Sequence, residues 1–252
     1  MFEINTDYQI IGKGKQATVV SDGVFAYKVF NENYPHDWIQ YEFDIQTEIG
    51  KTQLPIIKYH SIIDTNCIKM DFIKGDTLGT LLKSSKLKNG VEVLIDLQKQ
   101  IHVYHDLNLP RFKLDALHLV DKIDIRDEYK NLFRIILNLI DDKNVLLHLD
   151  FHFLNIMFDK QYIIIDWVNA KLGHPIYDYA RSYVIMNEYV FRLGSKYKTL
   201  ILEDKTIDTC YLDEAIYIMS ILRLREERSQ RTLNLIDDLY HKLIKKHINP
   251  MD

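Results

Sequence analysis

Three polar side chains between residues 148 and 167 stand out against apolar neighbours. Asp150 and Asn155 are five positions apart, and Asp166 follows eleven positions later. One carboxylate can take the proton of an attacking hydroxyl, while an amide oxygen and a second carboxylate can hold the metal that bridges nucleotide phosphates. An isolated aspartate is more often a turn or capping residue, but the three together favour chemistry. We therefore predict Asp150 as the catalytic base and Asn155 and Asp166 as Mg²⁺ ligands.

The order and spacing of these residues resemble a known family. Residues 148–155 read HLDFHFLN and residues 163–167 read IIIDW. This pattern resembles the aminoglycoside phosphotransferase and choline kinase family, which are small-molecule kinases with a protein-kinase-like fold. It differs from the protein-kinase signature, which has His-Arg-Asp and Asp-Phe-Gly. It also departs from the family at Leu149, where Gly is usual, but this departure removes no catalytic group.

The elements that must position these groups begin with a glycine-containing turn. Gly12 and Gly14 lie between two predicted strands, near residues 8–12 and 18–20, and glycine allows backbone to approach phosphates closely. Alone, this pattern is also typical of an ordinary hairpin. Lys28 follows in a strand rich in β-branched and aromatic residues, residues 24–30. The resemblance implies that Lys28 contacts the nucleotide phosphates.

A carboxylate is needed to hold the Lys28 ammonium. The apolar spacing predicts a helix over residues 36–49 that ends before Gly50. Glu42 is where the family places its pairing glutamate, and Glu48 is the alternative. Either could instead be a solvated glutamate on the helix face.

A linker is predicted after two further strands, residues 54–63 and 67–70. Met70, Phe72 and Ile73 are the candidates for adenine contact, since the resemblance places the linker between lobes there. The predicted fold is α+β and bilobal, with a small N-terminal antiparallel sheet lobe and a larger, mainly helical C-terminal lobe. Residues 1–71 would form the nucleotide-binding lobe, and residues 72–252 the catalytic and acceptor-binding lobe.

The C-terminal part is predicted to be mostly helical, with helices near 91–107, 126–140, 179–194, 208–228 and 229–247. His102 and His105 are three apart, but no further metal ligand accompanies them at a metal-site spacing. The resemblance implies that His105 packs structurally and that Asp178 braces the catalytic loop. An acidic cluster, defined as Glu203, Asp204, Asp208, Asp213 and Glu214, could attract a cationic acceptor or form a solvated helix end.

Composition favours a globular protein in the cytoplasm. The chain has 252 residues, 47% of them apolar and 27% charged. A net charge of −4 gives no argument for a nucleic acid or an anionic membrane. The two cysteines, Cys67 and Cys210, imply no disulfide framework. The acidic start does not resemble a signal peptide, and no run is long enough for a membrane span.

The sequence therefore predicts an ATP-dependent, Mg²⁺-dependent kinase that phosphorylates a hydroxyl of a small molecule such as an aminoglycoside, amino alcohol or sugar. The alternative is a nucleotide-binding pseudokinase without small-molecule turnover. A protein kinase is disfavoured by the Asp-Trp pair and the absence of an Ala-Pro-Glu signature. The acceptor, the preference for ATP or GTP and the oligomeric state stay open.

Overall fold

The computed structural model describes residues 2–248, which fall into two compact units. The first unit contains the described residues up to Lys88 together with Phe153–Asn169. The second contains Asn89–His152 and the described residues from Ala170 onward. The predicted division at residue 71, which separates nucleotide-binding from acceptor-binding functions, stays a prediction.

The secondary structure alternates between these units along the chain. The strands are β1 (Gln9–Lys13), β2 (Ala17–Ser21), β3 (Phe25–Phe30), β4 (Tyr59–Ile63), β5 (Cys67–Asp71), β6 (Asp76–Thr77), β7 (Val145–Leu147), β8 (Ile156–Asp159), β9 (Gln161–Ile164) and β10 (Lys171–Gly173). The helices are α1 (His36–Ile49), α2 (Leu78–Lys83), α3 (Gly90–Ile101), α4 (Phe112–Val120), α5 (Asp127–Leu139), α6 (Pro175–Tyr189), α7 (Phe191–Glu203), α8 (Leu212–Arg223) and α9 (Gln230–His247).

The first unit is built on an antiparallel sheet in the order β1-β2-β3-β5-β4. Strand β3 is central, and its register pairs Lys28 with Val19 on β2 and with Ile68 on β5. Helix α1 has the predicted bounds and buries residues at helical spacing, including Ile39, Glu42 and Ile49. The predicted N-terminal antiparallel sheet is thus confirmed.

A second, three-stranded sheet in the order β6-β8-β9 completes the first unit. Its hairpin β8–β9 joins Asn155 to the segment before Asp166, because Ile165 N donates a 3.0 Å hydrogen bond to the Asn155 carbonyl. Gly75 precedes β6 and is required there, since a Cβ would come within 2.2 Å of the Phe158 carbonyl oxygen.

Helices dominate the second unit, as predicted for the C-terminal part of the chain. Helix α8 is its centre, since only Asp213 of its twelve residues is not buried. The two charged residues among the buried ones, Glu214 and Arg223, are held in ion pairs. Strands β7 and β10 pair antiparallel and deliver the segment that begins at His148.

Several predicted bounds are wrong. Residues 54–58 are not part of β4, and the helix predicted over 91–107 ends at Ile101. The chain leaves the helix there because Tyr104 and His105 pair with the β7 strand instead. Helices α4 and α7 were not predicted as separate elements. No helix within residues 2–248 has the length and apolar character needed to cross a membrane.

Candidate active site

Lys28 is held by two carboxylates within the first unit. Its Nζ lies 2.7 Å from Glu42 Oε1 and 3.7 Å from Asp166 Oδ1. Burial opposes the charged form of Lys28, but the carboxylates of Asp166 and Glu42 outweigh it, so its pKa is raised. Lys28 therefore carries a fixed positive charge, as a phosphate ligand requires.

Glu42, rather than Glu48, is the partner of Lys28. Glu42 is buried, and its Oε1 also accepts a 2.7 Å hydrogen bond from the Tyr59 hydroxyl. Burial, followed by the charge of Glu42, raises the pKa of Tyr59 well above its usual value, so Tyr59 remains a donor. Glu48 instead forms an ion pair with Lys51.

The residues predicted to hold Mg²⁺ differ in exposure. Asn155 is buried at 7% exposure, whereas the Asp166 side chain is 40% exposed. Asp166 has a left-handed backbone, with φ of 64°. Within residues 2–248, no group of three or more His, Cys, Asp or Glu side chains is placed to hold a metal ion. Mg²⁺ does not need one, because it is commonly bound by one or two carboxylates together with substrate phosphates. The donor set of an amide and a carboxylate oxygen fits that mode.

The glycine-containing turn has no internal need for its glycines. A Cβ at Gly12 would meet Val19 at 3.6 Å, and one at Gly14 would meet the Ala17 carbonyl at 3.5 Å. Both are ordinary contacts, and neither residue has a positive φ. Gly12 pairs with Val19, and Val19 pairs with Lys28. Paired positions on neighbouring strands share one face of the sheet, so Gly12 is on the face that carries Lys28. The close approach of a ligand would give these glycines a purpose.

An apolar cluster surrounds the predicted adenine contacts. Met70 is buried with Ala26, Ile57 and Ile163, and this cluster also packs against Val19, Phe72, Ile73 and Ile165. Ala26 and Lys28 are two apart on β3, so their side chains share one face of the sheet. The first unit thus combines an apolar surface with a cation on the same face, which suits a base and its phosphates.

Asp150 lies in the second unit, where positive groups approach its carboxylate. His152 Nε2 is 3.7 Å from Asp150 Oδ2, and Arg181 Nη2 is 3.8 Å from Oδ1. Its backbone N donates to His148 Nδ1 at 3.3 Å. Burial opposes ionisation, but the contacts with His152 and the charge of Arg181 prevail, so the pKa of Asp150 lies well below its usual value. Asp150 is an ionised acceptor at neutral pH.

The backbone preceding Asp150 is held by a buried aspartate. Leu149 N donates a 2.7 Å hydrogen bond to Asp178 Oδ1, and His148 N donates to Oδ2 at 3.3 Å. His102 Nε2 contacts the same Oδ2 at 3.0 Å. Burial would raise the pKa of Asp178, but the bond with His102 and the other contacts lower it. Asp178 therefore braces this loop, as the resemblance implied.

The prediction for His105 is wrong, and His102 has the packed position instead. The His105 side chain is 67% exposed and pairs with the adjacent Asp106. The His102 side chain is only 8% exposed and packs edge-on against Tyr179. The difference follows from the early end of α3, which leaves His102 at the helix terminus.

Arg181 belongs to an ion-pair network beside Asp150, and its contacts were not predicted. Arg181 donates a 3.1 Å hydrogen bond through Nε to the Leu149 carbonyl, and its Nη2 bonds both oxygens of Glu226 at 2.6 Å. Arg223 bonds Glu226 at 2.6 Å and Glu188 at 2.9 Å. Arg181 and Glu226 lie 45 positions apart and Arg223 and Glu188 lie 35 apart, so spacing gives no signal for these two pairs, whereas Arg223 and Glu226 are only three apart.

The acidic cluster is largely neutralised by lysines from other helices. Asp204 pairs with Lys99, Asp213 with Lys198 and Lys242, and Glu214 with Lys246 and His247. This geometry does not favour the cluster as a binding site for a cationic acceptor.

Part of the chain matches the model of a known protein family. Residues 83–202, slightly less than half of the chain, match the APH family, described as the phosphotransferase enzyme family. The predicted family resemblance is confirmed. With it, the prediction of a phosphotransferase enzyme is also confirmed. No curated protein matches the sequence significantly.

Solved structures show the same fold over nearly the whole chain. Aminoglycoside phosphotransferase APH(4)-Ia is similar with a TM-score of 0.71 and 12% identity, covering 94% of this chain and 93% of its own. Choline kinase LicA from Streptococcus pneumoniae has a TM-score of 0.60 and 13% identity, covering 94% and 92%. Amicoumacin kinase hAmiN, in complex with AMP-PNP, Ca²⁺ and Ami, has a TM-score of 0.61 and 10% identity, covering 96% and 89%.

Proposed function

We propose that this protein is an ATP-dependent kinase that transfers the γ-phosphate to a hydroxyl of a small molecule. The observation that carries the proposal is the buried Lys28–Glu42 pair with Asp166 at 3.7 Å from the same ammonium. A lysine held by one carboxylate and adjoined by another is the arrangement that kinases use for nucleotide phosphates and metal.

In this proposal, the nucleotide uses the first unit. The apolar cluster around Met70 receives the base, and Phe72 and Ile73 follow it in the chain. Lys28 contacts the phosphates, and Gly12 and Gly14 allow the backbone to approach them. Asn155 and Asp166 would hold Mg²⁺, which would neutralise the negative charge of the phosphates.

Asp150 accepts the proton of the acceptor hydroxyl and orients its oxygen. Its lowered pKa makes it a weak base, which suits a transition state in which the phosphoryl group is largely detached before the nucleophile loses its proton. Arg181 and Asp178 are positioning residues, because they hold the backbone of Leu149 next to it. Orientation is therefore the main contribution expected from Asp150.

The acceptor class follows from the similar proteins rather than from a defined pocket. Those proteins are named for aminoglycosides, choline and amicoumacin, and all of these names denote small molecules. We propose an aminoglycoside, amino alcohol or sugar as the acceptor. The neutralised acidic cluster gives no preference for a polycation among them.

The test measures phosphate transfer from Mg-ATP to a panel of aminoglycosides, amino alcohols and sugars. Asp150→Asn removes the proton acceptor with little change in size, and we expect it to reduce kcat by about 100-fold or more while leaving nucleotide affinity unchanged. Asp238→Asn is the matched control, because Asp238 is exposed in the same unit. Lys28→Met should instead lose nucleotide binding.

Turnover on one acceptor class that is lost in Asp150→Asn and kept in Asp238→Asn would support both the activity and the role of Asp150. Full activity of Asp150→Asn would overturn the assigned role. Tight Mg-ATP binding without transfer to any acceptor in the panel would favour the pseudokinase alternative.

A further inference from the structure

A cavity of about 350 Å³ lies within the second unit. It is bounded by the end of α3, the loop before β7, the start of α6 and the loop after α7, and its polar lining includes Lys99, His102, Lys143, His174 and Asp208. This volume is in the range of small-molecule sites. None of these residues has a role in the proposed kinase reaction, apart from the contact of His102 with Asp178.

His174 presents a hydrogen-bond donor that lacks a partner. Its side chain is only 6% exposed, and its Nδ1 accepts a 3.1 Å hydrogen bond from Ile176 N, which caps α6. Burial and then the charge of Lys143 lower the pKa of His174 to about 4, so the ring is neutral and Nε2 carries its proton. The Asp208 carboxylate is 3.9 Å from Nε2, beyond hydrogen-bond range.

Of the two lysines in the lining, Lys143 has no partner among the described residues, while the carboxylates of Asp208 and Asp141 act on the same His174 ring. Lys143 makes no hydrogen bond or ion pair with any residue in the described range 2–248. Lys99 is bonded to Asp204 at 2.6 Å. Asp208 is the opposing carboxylate in the lining, but its side chain is 63% exposed, and its Oδ1 already accepts a hydrogen bond from Cys210 N.

The start of α6 adds a favourable field but no free backbone donor. Pro175 has no N–H, Ile176 N is bonded to His174 Nδ1, and Tyr177 N is bonded to the His174 carbonyl at 3.0 Å. The helix dipole still favours negative charge at this end. Side chains would therefore have to hold a ligand here.

We propose that this cavity binds a small oxyanion, the phosphate or carboxylate group of a metabolite, through the Lys143 ammonium and the His174 Nε2–H. A neutral donor on a buried side chain, beside a lysine without a partner in the described chain, is complementary to an oxyanion, because the anion satisfies both groups. His102 also lines this cavity. Its Nε2 contacts Asp178, and Asp178 in turn accepts the hydrogen bond from Leu149 N. It is distinct from the nucleotide groups, which lie in the other unit.

The experiment uses the full chain with inorganic phosphate and acetate as separate probes, at constant ionic strength set with chloride. Binding is followed by calorimetry and by the ring ¹⁵N signals of His174, assigned by their loss in His174→Asn. Asn at this position keeps an acceptor for Ile176 N, since Asn is a good helix N-cap, but it removes the ring donor.

We expect saturable binding of at least one probe, weakened about tenfold or more in both Lys143→Met and His174→Asn, because each change removes a charge-assisted or buried hydrogen bond. Lys122→Met, at an exposed lysine of the same unit, should change affinity by less than about twofold. Lys28→Met should leave phosphate binding intact although it loses nucleotide binding.

Three outcomes would overturn the proposal. The first is an absence of saturable binding of both probes. The second is unchanged affinity in Lys143→Met, a variant at a surface residue that does not threaten the fold. The third is loss of phosphate binding in Lys28→Met, which would place the anion in the nucleotide site. None of these outcomes depends on whether the protein phosphorylates an acceptor.

Discussion

Leu149 combines a buried side chain with a left-handed backbone, and this combination predicts an unusual order of stability. The residue is only 7% exposed, and its φ is 59°. Both of its backbone groups are anchored, since its N–H bonds Asp178 and its carbonyl accepts from Arg181. The backbone therefore keeps this conformation when the side chain changes.

The magnitude follows from three contributions. Leu149→Ala loses a buried side chain, which costs roughly 2–5 kcal/mol, and Ala retains the strain of the left-handed region. Leu149→Gly loses the side chain together with the Cβ that Ala keeps, but it relieves strain of about 1–2 kcal/mol. Glycine in turn costs about 0.4–1 kcal/mol through the entropy of the unfolded chain. We expect Leu149→Gly to be more stable than Leu149→Ala by about 0.5–1 kcal/mol.

The assay is urea unfolding at 25 °C, followed by circular dichroism. With a slope of about 2–3 kcal/mol per molar urea, the Gly variant should unfold at a midpoint about 0.3 M higher than the Ala variant. Leu132 is the matched control, because it is buried at 1% exposure within helix α5. There the order should reverse, with Gly about 1 kcal/mol less stable than Ala.

The reasoning would be refuted if the Ala and Gly variants at position 149 had the order of stability expected within a helix. If Leu149→Ala were more stable than Leu149→Gly by about 1 kcal/mol, as at Leu132, the left-handed conformation would not be a property of the folded chain in solution. The account of why this loop differs from its relatives would then fail as well.

Three further predictions concern the candidate active site. Glu42→Gln should weaken nucleotide binding about tenfold, because Lys28 loses a charged partner, whereas Glu48→Gln should not; nucleotide titration by calorimetry checks both. The lowered pKa of Asp150 predicts no loss of kcat/KM from this carboxyl between about pH 5 and 8, and an acid limb that disappears in a variant of Asp150 alone would contradict it. Asp178→Ala should lower the free energy of unfolding, measured with urea, by roughly 3–5 kcal/mol, because the buried donors around Asp178 lose the carboxylate that accepts from them. The lowered pKa of Asp178 further means that its stabilisation is present above the unfolded pKa near 3.8 and is lost as pH falls through its folded pKa, which acid titration of stability measures.

Local patterns predicted the first unit well because its elements are determined by local sequence. Helix α1 has the bounds that its apolar spacing predicts, and β3 lies where β-branched and aromatic residues alternate. The choice between Glu42 and Glu48 needed the structure. Both lie on α1, and only the packing of that helix against the sheet selects the buried one.

The second unit was predicted less completely because long-range contacts shape it. Helix α3 ends six residues before the apolar pattern does, since Tyr104 and His105 pair with β7. The Arg181–Glu226 pair joins residues 45 positions apart, and no spacing rule connects them.

Leu149 also explains why a family pattern can vary without loss of geometry. Six non-glycine residues in the described chain have positive φ, and four of them are exposed residues outside the helices and strands: Asp64, Ser85, Asp106 and Lys160. The other two are Leu149 and Asp166, each in a loop that carries a candidate functional group. Burial of a leucine side chain contributes about 1.5–3 kcal/mol, which offsets strain of about 1–2 kcal/mol. The family's usual Gly and this chain's Leu can therefore hold the same backbone, so the motif constrains the conformation before Asp150 rather than the residue type.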